Sequence, residues 1–272
     1  MRPVRPNHRN ELWYRFQLNQ IVAELREAGR EIAAELAPAW PRVKDETDPK
    51  APGLIERARA KLRAKVGSIA ASLSFEAASR SLDAVDASLT ASIEDSVGVN
   101  IRALLTSHGD IGDAMRDAVD ANVELITSIP EQYFDKLGEA ISESWTAGDR
   151  HEDLAEDIEH IGDVTESRAE LIARDQTSKA NAAFNKVRQT SVGIERYVWQ
   201  TAEDERVRES HADLDGQTFA WDDPPTVDGE ISNPGEPINC RCVAAPVLDL
   251  DDESEADAGA FEADEDDIAE AA

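Results

Sequence analysis

The rhythm of apolar residues most constrains this chain: it keeps a helical spacing from Asn10 to about Gln189 and then abandons it. Between Asn10 and Leu36, residues Leu18, Ile21, Leu25, Ala28, Ile32 and Leu36 recur at three- and four-residue steps, which predicts an amphipathic helix. The stretch APAWPRVKDETDPKAPG, about residues 38–53, carries four prolines and a glycine and predicts a loop or linker. Beyond it Leu62, Val66, Ile69 and Leu73 step by four, three and four, and Leu82, Val85, Leu89, Ile93 and Val97 resume in another phase. The slip near Ser74 predicts a kink or two separate helices. Such a thin, alanine-rich stripe buries modest area and calls for a partner helix, from the same chain or a second copy.

Two further helix starts follow from capping grammar. In SIPE, Ser128 supplies a hydroxyl, Pro130 fits a first turn and Glu131 completes a capping box, with Phe134, Leu137, Ile141 and Trp145 as the buried stripe. DVTE repeats the pattern with Asp163 and Glu166, opening a helix that runs to about Gln189 and is stopped by Gly193.

After Gly193 the texture changes. ERYVWQ predicts a strand with Tyr197 and Trp199 on one face, and QTFAW and NCRCVAAPV predict two more, separated by the turn-rich DDPPTVDGEISNPGEP. No other strand is expected. The predicted fold class is mainly α. A long helical region (1–162) is followed by a small α+β module (163–248) and a disordered acidic tail (249–272).

Charge narrows the function classes. The net charge is −29, of which −12 falls in the tail from Asp249 to Ala272, leaving −17 on the rest. The tail is self-repelling and has little to bury, hence the expectation of disorder. An acidic body disfavours unaided binding to nucleic acid, which requires Lys and Arg against phosphate. No apolar run is long enough for a bilayer, and the basic N-terminus lacks the apolar core of a signal peptide, so no membrane association is expected.

The chemistry-bearing residues cluster late. TAEDERVRESHADLDG supplies Glu203, Asp204, Arg206, Arg208, His211, Asp213 and Asp215, and the chain's two cysteines, Cys240 and Cys242, follow. Three readings of the cysteines stay open. A disulfide between them would be strained, because alternate residues of a strand offer poor bonding geometry. His211, Cys240 and Cys242 suit tetrahedral zinc, with Asp204 or water as fourth ligand. The plainer reading, preferred on the residues alone, packs them as small reduced hydrophobes beside a hydrogen-bonded histidine.

HADLDGQTFAWD also imitates a calcium loop through His211, Asp213, Asp215, Gly216 and Asp222. Its first residue is no carboxylate, however, and two prolines stand where an exit helix should begin. A simpler role for the acids is turn formation around Gly216, with Arg206 or Arg208 paired to Asp213 or Asp215. A metal-activated water beside His211 and Glu209 would permit hydrolysis. No nucleophile elbow or phosphate-cradling glycine loop supports catalysis, so no catalytic residue is assigned.

Taken in order, the helix with ARDQ (Arg174, Asp175, Gln176), the YVW strand, DERVRESHADLDG and the closing NCRC resemble the phage Mu F-like family of minor head, or head-morphogenesis, proteins of tailed phages. The resemblance covers about a third of the chain, from Asp163 to Leu248. It implies a structural protein of the prohead, present in few copies, associated with the portal, and involved in head assembly and in DNA packaging or ejection. It implies a module fixed by Asp204, Arg206, Arg208, His211, Asp215, Gly216, Cys240 and Cys242. The expected location is the virion, inside the capsid near the portal vertex, and the host cytoplasm during assembly. The expected partners are the portal protein, with major capsid or scaffold protein and self-association as further candidates. No cofactor is expected, with a structural zinc at His211, Cys240 and Cys242 kept as the open alternative. Rival readings are a zinc-dependent hydrolase or nuclease acting during assembly and a host-directed effector injected with the genome.

Overall fold

The structure, a computed structural model, describes residues 1–40, 50–107 and 111–248. The central part of the proline-rich linker and the acidic tail lie outside the described residues. Four long helices carry most of the fold: α1 (His8–Leu36), α2 (Ala51–Val97), α4 (Gly112–Ala147) and α5 (His151–Ser191), with a short α3 (Arg102–Ser107) between the second and third. Helix α2 packs on α4, α1 on α5, and α4 on α5. After α5 come β1 (Arg196–Gln200), a one-turn α6 (Glu209–Ala212), β2 (Thr218–Ala220), β3 (Thr226–Val227), β4 (Glu230–Ile231) and β5 (Val243–Val247). The strands form an antiparallel sheet in the order β2-β1-β5 and a separate β3–β4 hairpin. The mainly α architecture with a small C-terminal sheet is the one the residue pattern predicts.

Helix α1 follows the predicted stripe, with Leu18, Ile21, Leu25, Ile32 and Leu36 buried, and Asn7 caps it by accepting the Arg9 N–H at 2.9 Å. At the linker's near edge Ala37–Ala39 form a 3₁₀ turn, and at its far edge Pro52 and Gly53 already lie in the first turn of α2.

Three expectations about helix boundaries are corrected. Helix α2 has no division at Ser74; it is one helix of 47 residues, about 70 Å long. Its buried stripe passes without interruption through Val66, Ala70, Ser74, Ala77, Ala78, Ser81 and Val85. Small residues bridge the gap where the large ones change phase, so Ile69, counted in the stripe, is exposed. The gap is also where α2 leaves one core, shared with α1, α4 and α5, and enters a second with Val4, Leu105 and Phe184.

Helix α4 does not start at Ser128; Pro130 lies inside it. The Ser128 hydroxyl donates to Leu125 O within the helix and accepts from Arg168 of α5 at 2.9 Å. Upstream, the burial of Asn122 and Ile126 continues the face made by Phe134, Leu137 and Ile141. At about 1.5–3 kcal/mol per fully buried large side chain, that face outweighs the roughly 3 kcal/mol cost of an interior proline.

Helix α5 likewise starts at His151 rather than Asp163. Asp163 and Glu166 accept from Arg26 of α1 at 2.8 and 2.7 Å, and Arg26 lies across Gly162. Acids spaced like a capping box are here the far end of an interhelical ionic contact. Helix α5 therefore runs from the bundle into the module without a break and ends at Ser191, before Gly193 turns the chain at φ +80°.

Candidate functional site

The last four turns of α5 carry a polar, buried face, part of which meets the module. Ser178 Oγ donates to Cys240 O at 2.9 Å, and Asn185 Nδ2 donates to Ala244 O at 3.1 Å. Gln189 donates to Asn185 Oδ1 at 2.9 Å and accepts from the Trp221 indole at 3.3 Å. Asn181 donates to Val4 O, and Arg188 holds Asp86 and Leu105 O. Sequence reasoning missed these residues. Their signal was present in the 178, 181, 185, 188 and 189 spacing, a helical period written in amides and hydroxyls rather than hydrocarbons.

The ARDQ residues act at the same seam. Asp175 Oδ1 accepts the Asn239 N–H at 2.9 Å and pairs with Lys179 at 2.9 Å. Arg174 donates to Asn239 Oδ1 at 2.7 Å, and Gln176 donates to Asp175 Oδ2 at 3.3 Å. Asn239 itself adopts φ +59°, a left-handed conformation that asparagine tolerates better than most residues.

Strand β1 buries Tyr197 and Trp199 on one face, as predicted, and these pack with Trp221, Val227, Cys240, Cys242 and Ala244 as a separate small core. The cysteines correct an expectation. They stand in the loop before β5, not on the strand, and both are free thiols. The β3–β4 hairpin, not expected, supplies Asp228 from its turn, at φ +53° beside Gly229.

His211, Cys240 and Cys242 come together at the bottom of this core. Nδ1 of His211 is 3.5 Å from each sulfur, and the three donor atoms lie within 4.8 Å of one another. All three residues are buried. The far ring nitrogen, Nε2, faces Asp228 Oδ2 at 3.4 Å and Arg208 Nη1 at 3.3 Å, and the edge of the Trp199 ring system meets the imidazole at 5.7 Å between centroids. The Cys240 thiol is lowered, chiefly by the side-chain hydrogen bond with Cys242, and that of Cys242 is raised, chiefly by the same bond and then by burial. Ser210, donating at 2.6 Å, holds the Asp228 carboxyl below the usual range, and His211 acts in the same sense.

The remaining predicted residues divide. Arg208 belongs to the cluster and also donates to Ile238 O at 2.6 Å. Asp204 does not approach the thiols; Arg241 takes both its oxygens and lowers its carboxyl, which corrects its reading as a fourth ligand. Arg206 donates its backbone N–H to Asp204 Oδ1 at 3.0 Å. Asp215 accepts the Thr201 N–H at 2.7 Å, and Arg208 pairs with Asp228, so the expected pairing of Arg206 or Arg208 with Asp213 or Asp215 is replaced. Gly216 turns the chain at φ +76° and donates to Trp199 O at 2.8 Å. The calcium-like spacing does not assemble: His211 faces the thiols and Asp215 is occupied by backbone.

Residues 135–245 match the family described as phage Mu protein F like protein. The match begins within α4 and takes in all of α5 and the site, a longer span than the residues of the sequence motif. Among curated relatives, an uncharacterized protein of Haemophilus influenzae is 34% identical over 256 residues, 91% of this chain and 55% of that one. An uncharacterized protein of Methanocaldococcus jannaschii is 29% identical over 126 residues, 46% of this chain and 18% of that one. The chain thus spans about half the length of the first relative and less of the second. No solved structure matches it. No helix among the described residues is long and apolar enough to cross a membrane. From within α4 into β5, residues 135–245, the chain is similar to the phage Mu protein F like family.

Proposed function

We propose that this chain is a minor head protein that associates with the portal during prohead assembly, docking through the helical bundle and presenting the C-terminal module toward the path of DNA. The observation that carries the reading is the family match over 135–245, which coincides with the unit that α5 welds to the sheet. Because α5 is common to bundle and module, a force or displacement at one is passed to the other through a single 41-residue helix. Two phenylalanines are exposed on the bundle, Phe16 on α1 (60%) and Phe75 on α2 (57%), and each offers an apolar anchor to a protein partner. A net charge of −29 favours protein partners over phosphate and suits a surface past which DNA slides without adhering. The match to a morphogenesis family, with no catalytic constellation in the sequence, supports a structural role.

The test is co-purification of the full chain with the portal protein of the same phage. Phe16→Glu or Phe75→Glu is expected to lower recovery at least tenfold, while Ile231→Glu on the module hairpin leaves it unchanged. Portal binding that survives both bundle substitutions and is lost with the hairpin substitution would overturn docking through the bundle.

A further inference from the structure

We infer that His211 Nδ1, Cys240 Sγ and Cys242 Sγ are three ligands of a tetrahedral zinc ion, whose fourth position faces the adjoining cavity and is filled by water. Four independent features carry this.

The first is metric. Zinc binds sulfur at about 2.3 Å and imidazole nitrogen at about 2.0–2.1 Å, so a tetrahedral angle puts sulfur and nitrogen about 3.5–3.6 Å apart. Both sulfurs stand 3.5 Å from the same ring nitrogen. A neutral Nδ1 accepts an S–H from one thiol at such a distance, whereas two sulfurs set at that spacing from one nitrogen match two thiolates and an imidazole around a single ion.

The second lies behind the imidazole. Nε2 of His211 faces the Asp228 carboxylate at 3.4 Å. A histidine that binds zinc through one nitrogen commonly gives its other N–H to a carboxylate, which fixes the ring and strengthens the ligand. Asp228 is aimed from a two-residue turn, and Ser210 holds its other oxygen at 2.6 Å.

The third is the surroundings of the sulfurs. The Gly235 N–H points at Cys240 Sγ at 3.4 Å. The indole nitrogen of Trp199 is buried beside the site with no hydrogen-bond partner. Donors directed at sulfur suit thiolates, the form that zinc requires. Two thiolates and one zinc ion are together neutral, which removes the cost of burying an isolated charge.

The fourth is the open side. Among the described residues no other histidine, cysteine or carboxylate joins the three donors. They border a cavity of about 130 Å³ whose other walls include Arg206, Asn239 and Arg241. That volume admits water. The ion would tie together two stretches of chain, α6 and the loop before β5, in a module whose small core is otherwise held by a three-stranded sheet and a short two-stranded hairpin.

The test uses the full chain, purified reduced, stripped with a chelator and titrated with cobalt(II). The expected result is one equivalent bound, with sulfur-to-cobalt charge-transfer absorption and the intense visible bands of tetrahedral cobalt, both abolished by one equivalent of zinc. Zinc is expected to slow the reaction of both thiols with a thiol reagent at least tenfold. Asp228→Asn, at a half-exposed position that leaves the core intact, is expected to weaken zinc about 10–100-fold in competition with a chromogenic chelator. Absence of the charge-transfer band, or thiol reactivity indifferent to zinc, would overturn the site. Unchanged affinity in Asp228→Asn would overturn the role given to the carboxylate. Portal binding is read separately, so either proposal can fail without the other.

Discussion

Asp175 of α5 accepts the backbone N–H of Asn239 at 2.9 Å, one residue before Cys240. A carboxylate on the long helix thereby sets the entry angle of the loop that delivers both cysteines. Asp175→Ala leaves that part-buried N–H without its acceptor and is expected to cost about 1–3 kcal/mol. The same change should speed the reaction of Cys240 with thiol reagents, because the loop loses its anchor. Urea unfolding and thiol titration check both; a variant with wild-type stability and reactivity would separate Asp175 from the loop.

Gly235 is constrained twice, by φ +94° and by Ala182 of α5, whose Cβ would stand 2.9 Å from any added methyl. Gly235→Ala should therefore cost about 2–4 kcal/mol, from backbone strain and overpacking together. Adding Ala182→Gly removes the clash but not the strain, so it should recover part of the loss. Full recovery would mean that the backbone angle contributes nothing.

The hydroxyl of Tyr133 on α4 occupies the space beside Gly29 on α1, where a side chain at residue 29 would lie. In an open helix Gly→Ala gains about 1 kcal/mol of propensity. Here overpacking of about 1–3 kcal/mol opposes it, and net destabilisation is expected. Tyr133→Phe alone should be close to neutral, because the buried hydroxyl has no protein hydrogen-bond partner. Combined with Tyr133→Phe, the cost of Gly29→Ala should shrink by about 1 kcal/mol or more in a double-mutant cycle. Equal costs with and without the hydroxyl would show that it is not the obstacle.

All three tyrosines, Tyr14, Tyr133 and Tyr197, are buried, and burial raises the pKa of each, that of Tyr133 to about 12. The unfolded chain loses these protons near pH 10 while the folded chain keeps them. The tyrosine contribution to stability is therefore complete below about pH 10 and declines as pH rises toward the folded values. Tyrosinate absorbance should stay flat through pH 10 and appear only together with loss of helical circular dichroism. A reversible titration near pH 10 in a fully helical protein would contradict the burial of these rings.

The sequence alone determined the helical content, the stripes of α1 and the second half of α4, the stop at Gly193, the turn at Gly216 and the inward face of Tyr197 and Trp199. Each of these depends on periodicity or on one residue's backbone freedom, properties a residue carries wherever the chain goes. It also singled out His211, Cys240 and Cys242, because few other residue types offer such donors. What it could not determine was whom each polar side chain would serve. Ser128 with Glu131, and Asp163 with Glu166, have the spacing to cap a helix of their own. Ser128 was instead engaged by Arg168, and the pair Asp163 and Glu166 by Arg26, once the helices met. The same holds for the polar face of α5, whose amides read as solvent-facing until the backbone of Cys240 and Ala244 arrives to be hydrogen-bonded. Only tertiary structure decides such cases, because a hydroxyl, amide or carboxylate binds whichever partner packing brings within about 3 Å, and sequence spacing describes only the partners on its own turn.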